Sequence, residues 1–344
     1  MRKKERYNIA VIGVGAVGIE MLRILKQRSF PVNKLRVFAR SERDITVDGD
    51  IYHVEAIEGK SFSGIDIAFF AGTEGEKGAS VTYADKFISG GAVVIDNGAD
   101  FRLKEGVPLI VPEANRKEIL THKGLIANPN CTTIQMIVAL AGVYKKYGLA
   151  QIILTSFQAT SGAGRRAVET LCNETVRIVD KNRDKEFLLW EKRIDKFSEV
   201  FPSQIVFNVI PQIGEFKDNG YTSEEEKVVC ETHKIFSDAE IKVSATCVRV
   251  PVFTSHSEAI YFTTKKDVTF KDIENTIANS EGIKFLCRDS YPLPLDAENK
   301  DEVYVGRLRL DPFNKNSFWL WCVGDNLRKG AALNAIQIAE ELIR

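Results

Sequence analysis

The chain has 344 residues, 44% hydrophobic and 27% charged, and its 47 basic and 47 acidic side chains cancel. That length leaves room for two domains, each able to bury a core, and the balanced charge supplies no field to draw in nucleic acid or an anionic membrane surface. Six cysteines show no C-x-x-C spacing and are too sparse for a disulfide scaffold, which fits a reducing cytoplasm; no metal site is expected.

The chain starts basic and then turns apolar, the order of a secretory leader, but Gly13, Gly15 and Gly18 interrupt the apolar run, and Glu20 and Arg23 follow at once. Nowhere do 18 apolar residues follow one another as a membrane span needs, so a soluble cytoplasmic protein is expected. Residues 8–12 read as a short strand, and 19–25 place apolar residues at helical spacing, a strand-turn-helix unit. The apolar runs 35–38, 67–70, 92–95, 109–111 and 125–127 suit a sheet covered on both faces, with a helix predicted around 81–89. This alternation predicts a doubly wound α/β domain of Rossmann type. From residue 151 the runs 152–159, 241–250 and 259–264 alternate over a longer span, as in the mixed sheet of an α+β catalytic domain. Residues 179–196 are mostly charged with Phe187, Leu188, Leu189 and Trp190 embedded, a subdomain or subunit-contact element that pattern alone does not place. Residues 330–343 form an alanine-rich helical pattern expected to pack back on the first domain. The expected division is 1–131, completed by 326–344, and 132–325.

Gly13-Val14-Gly15-Ala16-Val17-Gly18 lies between the first strand and helix, where glycines permit a tight turn and close approach of backbone to a pyrophosphate. An NAD site would carry a carboxylate at the end of the second strand. Here Phe38-Ala39-Arg40-Ser41 offers a guanidinium and a hydroxyl instead, which favours NADP. The alternative for this pair is a solvated loop arginine followed by a helix-capping serine.

Asn128-Pro129-Asn130-Cys131-Thr132-Thr133 follows a strand and opens an apolar helical stretch, 134–144. Unpaired amides at that helix start favour a thiolate at Cys131 and can donate to an oxyanion on an attached carbonyl. The other five cysteines read as structural thiols.

This nucleophile motif resembles that of aspartate-semialdehyde dehydrogenases, and other segments are similar to that family in the same order. They are Val94-Ile-Asp-Asn97 through Phe101-Arg102, the glutamine and glycine-rich stretch from Phe157 through Gln158 to Gly164, and residues 221–227. The arginine and histidine stretch Cys247-Val-Arg249 to His256-Ser-Glu258 and the stretch from Asp325 to Asn334 complete the series, which spans residues 8–340. The resemblance implies a C-terminal domain like that of glyceraldehyde-phosphate dehydrogenase and a homodimer formed through it. The reaction it implies is NADPH-dependent reduction of L-aspartyl 4-phosphate to aspartate 4-semialdehyde and inorganic phosphate, on the route to lysine, threonine, methionine and isoleucine. By the same resemblance Cys131 forms a thioester, His256 serves as acid and base, Gln158 orients the intermediate, and Arg249 clamps the substrate carboxylate. Glu224 pairs with the substrate ammonium, Lys227, Arg102 and Asn130 receive phosphate, and Ser161, Gly162 and Asn326 join the glycine loop at the cofactor.

The chain departs from the family pattern twice. Val14 and Ala16 stand where an Ala-Thr pair is usual, and Gly98-Ala99-Asp100 replaces a serine run. The nearest rival is an N-acetyl-glutamyl-phosphate reductase, whose acetylated amine gives Glu224 no ammonium to face. A catalytically silent nucleotide-binding homologue is the rival of another class, against which the joint presence of Cys131, Gln158, Arg249 and His256 argues.

Overall fold

The structure, a computed structural model, describes residues 3–72, 78–194, 200–287 and 289–344. The apolar run of β1 (Tyr7–Ile12) ends at Gly13, whose φ of +100° turns the chain into α1 (Ala16–Gln27). Then follow β2 (Val32–Ala39), β3 (Arg43–Val47), β4 (Asp50–Ala56), β5 (Ile67–Phe70), α2 (Ala79–Ser89), β6 (Val93–Asp96), the short α3 (Pro112–Asn115) and β7 (Leu125–Ala127). These strands form one seven-stranded sheet in the order β3-β4-β2-β1-β5-β6-β7, parallel except where β3 runs back against β4. The order reverses at β1, so the crevice beyond its carboxyl end is where a doubly wound sheet takes its ligand.

Two details of the first sheet differ from the sequence expectation. The run 109–111 makes only an isolated bridge from Leu109 to Ala127, because Pro112 at once starts α3. The β3/β4 hairpin was not foreseen; its polar, half-exposed pattern reads as a loop when only apolar runs are sought.

Next comes α4 (Cys131–Tyr147), buried from Thr132 to Ala141, then β8 (Leu149–Gln158), α5 (Arg165–Asn182), α6 (Ser223–Phe236), β9 (Lys242–Arg249), β10 (His256–Thr264) and α7 (Phe270–Ala278). They are followed by β11 (Ile283–Phe285), α8 (Pro294–Ala297), β12 (Val303–Leu310), β13 (Ser317–Gly324) and α9 (Leu333–Ile343). The second sheet has the order β11-β12-β13-β10-β8-β9 and is mixed, with β8/β9 and β11/β12 parallel and the remaining pairs antiparallel.

Alternation along β1 decides the packing. Ile9 and Val11 join a core with α1 and with Ala335, Ile336 and Ala339 of α9, so the last helix fills the underside of the first sheet. Ala10 and Ile12 face the other way, into a core that runs on through Ile134, Ile137 and Leu140 of α4 to Leu154, Ile260 and Phe318 of the second sheet. In the charged segment noted above, Phe187, Leu188 and Leu189 remain exposed, while Asp195 and Lys196 lie outside the described residues. Among the described residues no helix is long and apolar enough to cross a membrane, and no three His, Cys, Asp or Glu side chains gather to hold a metal.

Candidate active site

Asn130 keeps an extended backbone, and its side-chain oxygen accepts from the N–H groups of Thr132 at 3.0 Å and Thr133 at 3.3 Å, so α4 starts at Cys131. The Cys131 sulfur lies 3.3 Å from Nε2 of His256, the first residue of β10. Nδ1 of the same ring accepts from the Ala159 N–H at 3.1 Å, which puts the ring proton on Nε2, pointing at the sulfur. The Ala159 carbonyl in turn accepts from Nη1 of Arg249 at 2.6 Å, so one residue's backbone fixes both the imidazole and the guanidinium. A side chain at Gly162 would put its Cβ 3.0 Å from Arg249 Nη1 and 3.1 Å from the His256 ring, which explains glycine there. Ser255, just before His256, holds a φ of +68° and is tied by its N–H to Asn326 Oδ1 at 2.9 Å.

Burial, with Arg249 adding to it, holds His256 well below the usual imidazole range, so the ring is neutral. Burial also pushes the Cys131 thiol up to about 12, with Glu224 adding to the rise and Arg249, Arg102 and the Thr132 N–H opposing it. The thiol acidified by a helix start and Arg249, as expected from sequence, is therefore not what the chain alone provides, because loss of water around the sulfur outweighs those terms. The tautomer matters equally. His256 offers a proton toward the sulfur rather than a lone pair for the thiol's own.

Gln158 ends β8, opposite Arg249 in register, and its amide donates to Thr132 Oγ1 at 2.8 Å and Ser156 Oγ at 3.2 Å. Glu224 lies in the first turn of α6, with Oε1 accepting from Asn130 Nδ2 at 2.9 Å and Oε2 at 3.6 Å from Lys227 Nζ. Arg102 is buried and donates from Nε to the Asn128 carbonyl at 3.0 Å and from Nη2 to the Asn97 carbonyl at 2.8 Å. One cavity of about 400 Å³ is lined by Cys131, Gln158, Arg249, Glu224, Lys227, Arg102, Asn130, Ser161, Gly162 and Asn326, with Val17 at its edge.

A second cleft, of about 830 Å³, is lined by Gly13, Val14, Gly15, Arg40 and Ser41, and Gly72 borders both spaces. Gly18 acts by packing, since a Cβ there would stand 1.9 Å from the Gly13 carbonyl oxygen, while Ala16 and Gly18 line neither space. The turn, the close helix packing and the switch-point cleft fit a dinucleotide.

Sequence reasoning missed two residues. Arg43 lines the second cleft, its Nη1 3.1 Å from Ser41 Oγ. Glu231 lies buried beneath Arg102, and its spacing from Glu224 and Lys227 on one helix face was the available signal.

Two family models divide the chain as the two sheets do. One described as semialdehyde dehydrogenase, NAD binding domain matches residues 8–122, and one described as semialdehyde dehydrogenase, dimerisation domain matches residues 140–329. The chain belongs to the aspartate-semialdehyde dehydrogenase family. It is 42% identical to the aspartate-semialdehyde dehydrogenase of Aquifex aeolicus, covering 98% of each chain, and 42% identical to that of Bacillus subtilis, covering 97% of each. A crystal structure of aspartate semialdehyde dehydrogenase II from Vibrio cholerae, complexed with ASA, superposes with a TM-score of 0.92 at 40% identity, covering 99% of both chains. Membership brings a nicotinamide-dinucleotide domain, in keeping with the cleft beyond β1.

Proposed function

We propose that this chain reduces L-aspartyl 4-phosphate to L-aspartate 4-semialdehyde with NADPH, releasing inorganic phosphate, and so serves the synthesis of lysine, threonine, methionine and isoleucine. The observation that carries the reading is Cys131, with the buried His256 ring 3.3 Å from its sulfur, in a cavity lined by Arg249 and Glu224 together with Arg102 and Lys227. That set offers partners for a carboxylate, an ammonium and a phosphate. The names of the relatives and the ASA held by the Vibrio cholerae structure support the same substrate.

Cys131 attacks the acyl carbonyl, the C–S bond forms, and the C–O bond to phosphate breaks. The thiol proton ends on the departing phosphate. A substrate ammonium on Glu224 cancels the carboxylate's upward push on the thiol. Gln158 steadies the thioester without adding charge, and Nε2–H of His256 donates to sulfur and to the carbonyl oxygen as charge develops there; the ring is the acid–base group of the later steps. The nicotinamide supplies the hydride when bound.

NADP rather than NAD is favoured by Arg40, Ser41 and Arg43 around the second cleft, which between them offer guanidinium groups and a hydroxyl to a 2′-phosphate. We assign residues 1–131 with 326–344 to the cofactor domain and 132–325 to a catalytic, dimerising domain. The dimerisation family model supports a homodimer, as do Ile153, Phe157 and Trp319 on the face of the second sheet turned away from α4. Glu224 disfavours an N-acetyl-glutamyl phosphate, whose amide brings no positive charge to this buried carboxylate in the cavity wall. The deciding experiment is a spectrophotometric assay of phosphate-dependent NADP reduction with aspartate semialdehyde. Turnover is expected, and reduction indifferent to phosphate would overturn the reading.

A further inference from the structure

Three side chains on one face of α6 reach the cavity or the residues behind it: Glu224, Lys227 and, two helical turns beyond Glu224, Glu231. Glu231 is 1% exposed and does not line the cavity. Its Oε1 accepts from Arg102 Nη1 at 3.0 Å, and its Oε2 accepts from the Asn130 N–H at 2.7 Å. With the carbonyls of Asn128 and Asn97, this gives each nitrogen of the Arg102 guanidinium an acceptor and fixes its plane. Asn130 is the cap of the helix that Cys131 opens, and its side chain is held separately by Glu224.

Burying a carboxylate is costly unless its partners are well placed, and apolar packing would join α6 to this loop at less cost. What a carboxylate adds is two acceptors at fixed separation and one negative charge beside Arg102. The separation ties the arginine to the nucleophile's cap. The charge offsets part of the arginine's, so an arriving phosphate is oriented without being held too tightly to leave.

We propose that Glu231 is a positioning residue for the phosphate half of the reaction, one oxygen setting the Arg102 guanidinium and the other the Asn130 N–H beside Cys131. The proposal rests on the reading above that Arg102 receives phosphate.

The test is steady-state kinetics in the oxidative direction with inorganic phosphate varied. In Glu231→Gln the amide presents an NH₂ to one of two donors, so one bond is lost and the charge with it. The KM for phosphate should change about tenfold and kcat should fall, while the KM for NADP stays within about twofold. In an Arg102→Ala background the same substitution should leave the KM for phosphate where Arg102→Ala alone put it, as coupling through the arginine requires. Parallel shifts in every KM, or a phosphate effect that persists undiminished without Arg102, would overturn the role. If Glu231→Gln yields no soluble protein, Glu231→Asp, which keeps the charge and shortens the reach, is read in the same way. An unaltered chain that fails to use phosphate at all would overturn the functional reading instead, so the two failures are distinct.

Discussion

Between the Cys131 sulfur and the His256 ring, the proton is the quantity that decides reactivity. With Nε2 carrying the ring proton and burial raising the thiol to about 12, the chain without substrate keeps most of the sulfur protonated at neutral pH. Alkylation of Cys131 by iodoacetamide in the substrate-free protein should therefore accelerate about tenfold per pH unit between pH 7 and 10, following the thiolate fraction. Mass spectrometry of the Cys131 peptide measures it, and a plateau below pH 9 would show a thiolate already stabilised by the site. Arg249 supports a second expectation. An ammonium in its place cannot make two parallel bonds to a carboxylate and loses the Ala159 carbonyl as well. Arg249→Lys should lower kcat/KM for the semialdehyde about 100-fold while costing about 1–2 kcal/mol of stability. An unchanged kcat/KM would mean that another group clamps the carboxylate.

At the scale of elements, what was legible in the sequence followed from how many constraints fell on each segment. The glycine turn and the start of α4 each combine a strand, special backbone needs and a helix in a dozen residues, and both were foreseen. The β3/β4 hairpin carries neither an apolar run nor a glycine motif at its outset, so Arg43 at its first residue has no signal in the sequence, although it borders the second cleft. β12 and β13 are absent from the sequence expectation as well, and with them the frame that sets Gly324 opposite His256. The thiol's rise could not be foreseen either, because it depends on burial by elements distant in sequence. Arg43 gives the test at this scale. If it and Arg40 both meet a 2′-phosphate, Arg40→Ala and Arg43→Ala should each cut the preference for NADP over NAD, as a ratio of kcat/KM, by about tenfold, the lower range for a charge-assisted bond. A ratio unmoved by either substitution would place the phosphate elsewhere in the cleft.

The molecule as a whole is tied together at the segment between β13 and α9. Arg328 reaches Glu20 of α1 at 2.6 Å and Asp301, just before β12, at 2.5 Å, and so joins elements of the two sheets. Its neighbour Lys329 is 1% exposed and donates to both oxygens of Glu113 on α3 at 2.8 Å, with Asn334 Oδ1 at 2.9 Å and Gln337 Oε1 at 2.6 Å completing its surroundings. The next residue, Gly330, packs so closely on Cys131 that a Cβ there would lie 3.0 Å from Cys131 Cβ. The buried ion pair thus holds the backbone that forms one wall of the Cys131 cavity. Lys329→Met keeps most of the aliphatic stem, one atom shorter, but leaves Glu113 buried without its cation, which should cost about 3–5 kcal/mol in chemical denaturation. Adding Glu113→Gln removes the stranded charge, so the double variant should recover more than half of that loss. Because Gly330 moves with Lys329, kcat should fall in the single variant and return in part with the second change. A loss below about 1 kcal/mol for Lys329→Met, or losses that simply add in the double variant, would show that the pair does not join these elements.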